Sequence, residues 1–484
     1  MKKLSTILLS TVLISGLYAD EFDDEFDNEF GKTSKQIQQK QNTQTDEFDD
    51  EFSEGFDEEK KPKKSYTINF DGSLKVRGYT FIEPSNYKNR NNARSQADSV
   101  LELNSKLKKG KYIFSGSIFS MVGTEHNTYA YDQVFEEFRD TNKEVPIAGI
   151  KELYAIQSND NYDVIVGKKV FKTGISTLYS PSDVYNVTLS PDPMDPYTIG
   201  VWLADFEYYK ENDTFGLVFF PVISNSKTFS PKSRWSGNEN VKDENLKSFI
   251  VPTKSEVKED NQNAIRVLLR YKGTKTLFDR GIDFILDVGY GPSLYSILEY
   301  TDEENVYLET HPTAWYVSTG FSTTYKKFEI HGELYYQNVI ASKDDNFISA
   351  VGGATYTLDE WVDKIGVNKV TMTVEYVKEI VTDKYDSKKT YRSSQKQRAP
   401  KNDILIKADA EINHKWSLNY FANFRLEIDQ NKDSGRYQKL GTTYTIKDGL
   451  VTELFVEMFN GDDNSYYGRW QDNDRVGLQV KYSF

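Results

Sequence analysis

The chain ends in the ten residues RVGLQVKYSF, Arg475 to Phe484, whose polarity alternates from one position to the next. Successive side chains of a β-strand point to opposite faces of its sheet. The stretch therefore predicts a strand with an apolar outer face and a polar inner face. The outer face carries Val476, Leu478, Val480, Tyr482 and Phe484, and the inner face carries Arg475, Gly477, Gln479, Lys481 and Ser483. An edge strand of a soluble sandwich would show the same alternation, so the rest of the chain has to separate the two interpretations.

A chain that stops on an aromatic residue after such a strand resembles the C-terminal signal of Gram-negative outer-membrane β-barrels. The resemblance implies that Tyr482 and Phe484 form an insertion signal. It also implies two partners, the barrel-insertion machinery that reads this signal and the lipid of the outer membrane.

The composition of the 484 residues is compatible with a membrane barrel. Only 38% are hydrophobic, and no run of 18 apolar residues follows the N-terminus, so no transmembrane helix is predicted. A barrel carries its membrane signal in alternation instead, so a low average hydropathy does not exclude it. The net charge of −14 argues against a nucleic-acid partner. The absence of cysteine excludes disulfides, thiol catalysis, cysteine-based metal sites and lipoprotein acylation.

Residues 1–19 have the pattern of a secretory signal peptide. Lys2 and Lys3 form the charged start, a mostly apolar stretch extends to Leu17, and Ala19 ends a plausible cleavage site. We therefore expect the mature protein to be exported.

Residues 20–64 form an acidic extension that we expect to be disordered and periplasmic. The sequence EFDDEF occurs at residues 21–26 and again at 47–52. Spacing by four places each phenylalanine triad on one side of a short helix, but such acidic segments are not expected to fold alone. The extension is either a solvated tail or a duplicated motif, within residues 20–60, that docks on a periplasmic or inner-membrane transport partner. The partner-binding residues would be Phe22, Phe26, Phe30, Phe48, Phe52 and Phe56.

From residue 65 to 484 the chain alternates in short segments, which predicts an all-β, transmembrane, antiparallel up-and-down barrel of about 18 strands, with 16 possible. Links after odd-numbered strands are mostly long, and links after even-numbered strands are mostly short. This order places the long loops outside the cell and both termini in the periplasm. The strands are predicted near 73–81, 99–108, 111–122, 147–158, 162–171, 202–212, 215–222, 264–272, 282–291, 313–326, 328–339, 347–358, 369–381, 403–412, 417–429, 436–447, 450–459 and 475–484.

Alternation also assigns the residues that face the lumen. Charges of both signs line the predicted wall, which suits a water-filled channel and a plugged lumen alike. Each pair of opposite charges could stiffen the wall or contact a solute. The wall residues are Arg266, Arg270, Lys407, Asp409, Arg425 and Glu427, and Glu329, His331 and Glu333 share a further inner face.

The loop after the fifth predicted strand, residues 172–200, combines prolines with turn-forming Asp and Asn, which predicts a rigid, folded loop. Its pattern resembles loops of alginate-export-type barrels and of barrels associated with MMPL-type RND exporters. In porins the equivalent long loop often folds inward and narrows the pore, so the resemblance implies a constriction. The residues that carry this prediction are Pro181, Asp183, Asn186, Asp192 and Asp195.

The sequence leaves two function classes open. One is a porin-like channel for small polar or specific solutes, with no cofactor. The other is the outer-membrane barrel of a trans-envelope transport assembly for lipid or hydrophobic cargo, docked through the N-terminal repeats. An enzyme is not predicted, because the sequence has no G-x-S-x-G motif and no two-histidine zinc motif, and its four histidines are scattered. Neither a metal site nor an oligomeric state is predicted.

Overall fold

Eighteen strands of the chain form one antiparallel sheet. A computed structural model of the protein describes residues 66–83, 93–124, 145–224, 226–229, 233–236, 256–259, 265–277, 280–303, 306–340, 343–360, 362–385, 390–396, 398–426, 434–462 and 465–484. The sheet consists of β1 (Thr67–Phe81), β2 (Ser95–Lys109), β3 (Tyr112–Gly123), β4 (Ala148–Ser158), β5 (Tyr162–Lys169), β6 (Val201–Lys210), β7 (Asp213–Phe220), β8 (Arg266–Leu277), β9 (Arg280–Pro292), β10 (Thr313–Tyr325), β11 (Phe328–Val339), β12 (Asn346–Leu358), β13 (Lys369–Asp383), β14 (Asn402–Glu411), β15 (Trp416–Arg425), β16 (Gly435–Lys447), β17 (Leu450–Gly461) and β18 (Arg475–Ser483).

The sheet closes on itself through its first and last strands. β1 pairs with β18 from Ser73 opposite Ser483 to Phe81 opposite Arg475. At the end of this seam, Gly72 and Phe484 exchange backbone hydrogen bonds of 2.8 and 2.9 Å. Closure leaves no unpaired strand edge, which is what a sheet inside a lipid bilayer requires. The predicted up-and-down barrel of 18 strands is confirmed.

The outer face of the barrel is apolar, as the alternation predicts. In β18 the outward side chains of Val476 and Leu478 are 41% and 51% exposed, whereas the inward Arg475 is fully buried. Near the periplasmic strand ends, the rings of Trp416 and Tyr444 lie 4.5 Å apart. An apolar band bordered by aromatic residues is the exterior of an outer-membrane barrel, and the chain is a protein of that membrane.

Some predicted strand limits were wrong at the periplasmic side. Residues 273–281 were expected to form a long turn, but β8 continues to Leu277 and β9 begins at Arg280. The alternation is lost there because these strand ends reach water, while the ladder continues and Thr274 Oγ1 donates to Asp283 Oδ1 at 2.5 Å. For the same reason β1 begins at Thr67 and not near residue 73.

The outer loops contain short elements of their own. A three-stranded sheet and a four-stranded sheet form from loop segments. The described residues also form four short 3-10 helices, three in outer loops and one in the periplasmic turn between β12 and β13. The described part of the chain has no helix long and apolar enough to cross a membrane. The three-stranded sheet contains Val187–Ser190, Tyr197–Ile199 and Lys227–Thr228, the four-stranded sheet contains Glu256–Glu259, Ile297–Tyr300, Val306–Thr310 and Thr390–Arg392, and the helices are Arg234–Ser236, Val362–Ile365, Ser394–Lys396 and Gly468–Asn473.

Several predictions lie outside the described residues. They are the signal peptide, the acidic extension with all six of its phenylalanines, and the wall residue Glu427. They stay predictions.

Candidate functional site

The loop between β5 and β6, residues 170–200, folds into the barrel and contacts distant parts of the wall. One part of it contacts β11 and β13, through carboxylates on those strands. Another part contacts β1 and β18, through their arginines. The segment therefore extends from one part of the barrel wall to another.

Glu375 of β13 holds the centre of this loop. Its side chain is fully buried and accepts hydrogen bonds from the backbone N–H groups of Thr177, Leu178 and Tyr179 at 2.9, 2.8 and 2.9 Å. His331 Nε2 lies 2.8 Å from the same carboxylate. Successive backbone N–H groups form a nest for an anion, and here a wall carboxylate occupies that nest.

Glu333 of β11 holds the two ends of the same segment. It accepts hydrogen bonds from Ile175 N at 3.0 Å, from Ser180 Oγ at 2.7 Å, and from Ser182 N and Oγ at 3.0 and 2.6 Å. Gly174 lies beside it with a φ of 82°, and a Cβ there would come within 2.0 Å of Ser180 Oγ and 2.8 Å of the Glu333 carboxylate. This tight approach explains the glycine. The two wall carboxylates together fix residues 175–182 as one rigid segment.

The far part of the loop is fixed by ion pairs. Asp192 lies 2.7 Å from Arg475 and 3.2 Å from Arg77, and Asp195 lies 2.6 Å from Lys75 and 3.1 Å from Arg77. Burial of Asp192 opposes its ionisation, but the guanidinium groups of Arg475 and Arg77 outweigh burial and lower its pKa. Asp192 is therefore a charged anchor on the β1–β18 seam.

The other predicted loop residues are Pro181, Asp183 and Asn186. Pro181 is buried within the segment held by Glu333. Asn186 closes the base of the loop, because it accepts a hydrogen bond from Phe171 N and donates one to Phe171 O, both 2.8 Å long. The Asp183 side chain is exposed to solvent, yet desolvation by the surrounding protein penalises its charge and raises its pKa to about 6.

The predicted wall arginines on β8 both face inward, and the loop packs over them. Arg270 pairs with Asp287 at 3.2 Å, donates to Lys172 O, and lies 4.1 Å from the centre of the Phe171 ring. Arg266 donates to Pro292 O at 3.1 Å. Both guanidinium groups therefore bind elements of the protein itself in this conformation.

The charged side chains of the wall change from buried to water-exposed along β14. Near the outer end, Asp403 pairs with Arg425 and their side chains are 0% and 2% exposed. Towards the periplasm, Lys407 pairs with Asp409 and their side chains are 47% and 42% exposed. The charged side chains of β14 are thus water-exposed in the periplasmic half of the lumen, which we call the vestibule, and buried near the outer end.

Sequence reasoning missed the packing of the outer loops. Trp235 and Trp470 lie in different loops, and Trp470 Nε1 donates to Trp235 O at 2.8 Å. They are the centre of a buried cluster with Tyr437, Phe459 and Tyr467. Tryptophans inside otherwise polar loops were the available signal. Sequence reasoning also missed Glu375, although it lies on an inward position of a predicted strand.

His331 was predicted to share an inner face with Glu329 and Glu333. The structure places it against Glu375, fully buried, as part of the loop anchor. This contact gives it a structural role within the described residues.

No family model and no curated protein matches the chain. Among solved structures, OccK9 (OpdG) of Pseudomonas aeruginosa is 9% identical with a TM-score of 0.46, covering 87% of this chain and 98% of that one. A BenF-like porin of Pseudomonas fluorescens Pf-5 is 9% identical with a TM-score of 0.45, covering 87% and 98%. OccAB3 of Acinetobacter baumannii is 12% identical with a TM-score of 0.44, covering 86% and 99%.

Proposed function

We propose that the protein is a porin-like channel of the outer membrane for small polar solutes, constricted by the loop of residues 172–200. The observation that carries the proposal is the anchoring of this loop across the lumen by two buried wall carboxylates, Glu333 and Glu375. Because the loop is held on the wall, it narrows the solute path through the lumen to a fixed size. A selective channel needs such a constriction.

The vestibule supports the same function. Lys407 and Asp409 are water-exposed, and Lys439 and Glu453 form a second inward pair at 2.8 Å with side chains 28% and 13% exposed. Mixed charges of this kind keep the entrance wet for polar solutes. Arg270 braces the base of the loop through Lys172 O, which helps to set the position of the constriction, whereas Arg266 binds Pro292 O at the end of β9.

Proteoliposome swelling tests this function. Liposomes that contain the full mature protein are diluted into isotonic solutions of uncharged sugars of increasing size, from a pentose to a trisaccharide. We expect swelling with the smallest sugars, and swelling with larger sugars when Glu333 and Glu375 are both replaced by Gln. Rates equal to those of protein-free liposomes for every sugar, with both proteins correctly inserted, would overturn the proposal.

A second candidate function depends on the duplicated EFDDEF sequence. An exact repeat with phenylalanines spaced by four favours docking to a partner, and a simple channel does not need it. The barrel would then be the outer-membrane part of a trans-envelope transport assembly.

Crosslinking from native cell envelopes separates the two functions. Residues 20–64 serve as bait, and a bait with all six phenylalanines replaced by alanine is the control. Capture of one inner-membrane or periplasmic transport protein that the control loses supports the assembly. Equal capture by both baits contradicts it.

A further inference from the structure

Lysines and apolar side chains lie together on the inner wall at the periplasmic ends of β2, β3 and β4. Lys108 is opposite Ile113 in the β2–β3 ladder, and Ile113 is opposite Ile156 in the β3–β4 ladder. One inward position further into the barrel, Lys106 and Tyr154 lie on the same face. We call these five residues the rim patch.

The rim patch faces the lumen of the vestibule. The β1–β2 ladder has no register shift, so Lys106 and Lys108 share the face of Asp98, which pairs with the inward Arg77. Both lysines are exposed, and the other three residues of the patch are partly exposed. Apolar side chains that a water-filled wall leaves accessible are typical of a contact surface.

The two lysines of the rim patch have no acidic partner among the described residues. No ion pair joins Lys106 or Lys108 to a carboxylate there. The carboxylates of the neighbouring inner wall each accept a hydrogen bond from another side chain. These pairs are Asp71 with Asn104, Asp98 with Arg77, Glu102 with Lys151 and Asp163 with Tyr209. The patch therefore offers two free ammonium groups beside an apolar surface.

The N-terminal extension joins the barrel beside this patch. β1 begins at Thr67, which is opposite Lys108, and Asn69 is opposite Lys106. Residues 46–59 lie eight to 21 positions before Thr67 in the sequence. An unfolded chain of that length spans roughly 15–25 Å, and the patch extends over three strands spaced about 4.8 Å apart. The segment can therefore reach every residue of the patch.

The composition of residues 46–59 is the complement of the rim patch. The segment contains nine carboxylates and no basic residue, and Phe48, Phe52 and Phe56 alternate with these acids. Four lysines follow at residues 60–64, so residues 46–64 still have an excess of five negative charges. Phenylalanines flanked by carboxylates match isoleucines flanked by lysines, since rings can cover the apolar side chains while the charges pair.

We propose that residues 46–59 bind to the rim patch of the same chain, inside the vestibule. Phenylalanine rings lie on Ile113 and Ile156, and carboxylates lie on Lys106 and Lys108. The second copy of the repeat is the occupant, because Phe30 of the first copy lies 37 positions before Thr67 and a longer tether lowers the effective concentration. The bound segment narrows the periplasmic entrance, a consequence that rests on the channel function proposed above. The binding itself does not rest on that function.

Zero-length crosslinking of the full mature protein tests the binding, whether or not the barrel conducts. A carbodiimide joins a carboxylate to a lysine amine where the two are in contact, and mass spectrometry of the peptides identifies the pair. We expect links from Lys106 and Lys108 to residues 46–59. The reference is Lys326, an exposed lysine in the periplasmic turn between β10 and β11. Its links to the same segment should be fewer by about tenfold or more.

Replacement of phenylalanines by alanine provides a matched pair of variants, because the repeat occurs twice. The variant is Phe48→Ala, Phe52→Ala and Phe56→Ala, and the control is Phe22→Ala, Phe26→Ala and Phe30→Ala. The variant keeps every carboxylate but loses the apolar contacts, so links from the rim patch should fall by about tenfold or more. The control should give the same links from residues 46–59 as the unchanged protein.

Three results would overturn the proposal. The first is a yield of links at Lys106 and Lys108 no greater than at Lys326. The second is an unchanged yield in the variant of the second copy, because charge alone would then hold the segment. The third is a large share of links between isotopically light and heavy chains in a mixed sample, because the occupant would then be the extension of another copy.

Discussion

The hydrogen bonds of Glu375 allow a quantitative prediction about the loop. The carboxylate accepts three backbone N–H groups, from Thr177, Leu178 and Tyr179. Hydrogen bonds to a charged group contribute about 1.5–3 kcal/mol each, and neutral ones about 0.5–1.5 kcal/mol. Glu375→Gln keeps one side-chain oxygen as an acceptor. The other oxygen is replaced by an NH₂ group, which cannot accept a hydrogen bond from the backbone N–H groups of the loop. At least one of the three hydrogen bonds is lost, and the others become bonds to a neutral acceptor. The free energy that holds the loop on the wall therefore falls by about 3–6 kcal/mol.

Such a loss changes the loop from fixed to mobile. Each 1.4 kcal/mol is a factor of ten in an equilibrium constant, so the ratio of released to anchored loop rises by roughly 10² to 10⁴. A spin label at Thr177→Cys reports this change, because the protein has no cysteine and the Thr177 side chain is exposed. We expect an immobile spectrum in the single variant and a mobile component after Glu375→Gln is added.

The matched control is Glu329→Gln. Glu329 faces the same lumen from the same strand as Glu333, but its side chain is exposed. Its spectrum should equal that of the labelled parent. An equally immobile label in Glu375→Gln, in a barrel that still resists unfolding in SDS gels, would refute the reasoning. Glu333→Gln provides a second variant of the same anchor.

Three further predictions concern the same loop. Asp183 loses its charge as the pH falls through about 6, so cation preference measured from reversal potentials should decrease between pH 7 and pH 5, and Asp183→Asn should remove this dependence. Asp192→Asn leaves two buried guanidinium groups without their shared carboxylate and should cost about 3–5 kcal/mol in unfolding experiments, whereas Asp409→Asn should change little. Because the pKa of Asp192 is lowered, its contribution to stability is fully present above the ordinary aspartate pKa and is lost as the pH falls through the lowered value. The difference in free energy of unfolding between Asp192→Asn and the unchanged protein should therefore shrink only in strong acid. Gly174→Ala should weaken the anchoring of the loop by about 1–3 kcal/mol, because residue 174 has a φ of 82° and a Cβ there has no space. The same spin-label assay should show a mobile component in Gly174→Ala and no change in Gly352→Ala.

Local alternation was sufficient to predict the barrel. In β18 it placed Arg475 inside and Val476 outside, and the same period of two located all 18 strands to within a few residues, with the largest differences at the water-exposed ends. The period is a direct consequence of strand geometry, so it can be read without knowledge of the partners.

The anchoring of the loop could not be predicted in the same way. Prolines and turn-forming residues indicated a rigid loop, but its contacts join residues about 150 to 200 positions apart, such as Ser182 with Glu333 and Thr177 with Glu375. These pairs meet only after the sheet has closed. Whether an inward carboxylate binds a wall cation, a loop or a solute depends on that closure, which local patterns do not contain.

Chemical blocking of the loop during single-channel recording shows whether this loop constricts a conducting lumen. Thr177→Cys is inserted into a planar bilayer, and a methanethiosulfonate reagent is added from either side. The cysteine-free parent is the control. We expect discrete conductance in both proteins and a stepwise fall in current only in Thr177→Cys after the reagent is added. Complete modification of the cysteine with unchanged current, or an absence of current in both inserted proteins, would contradict it.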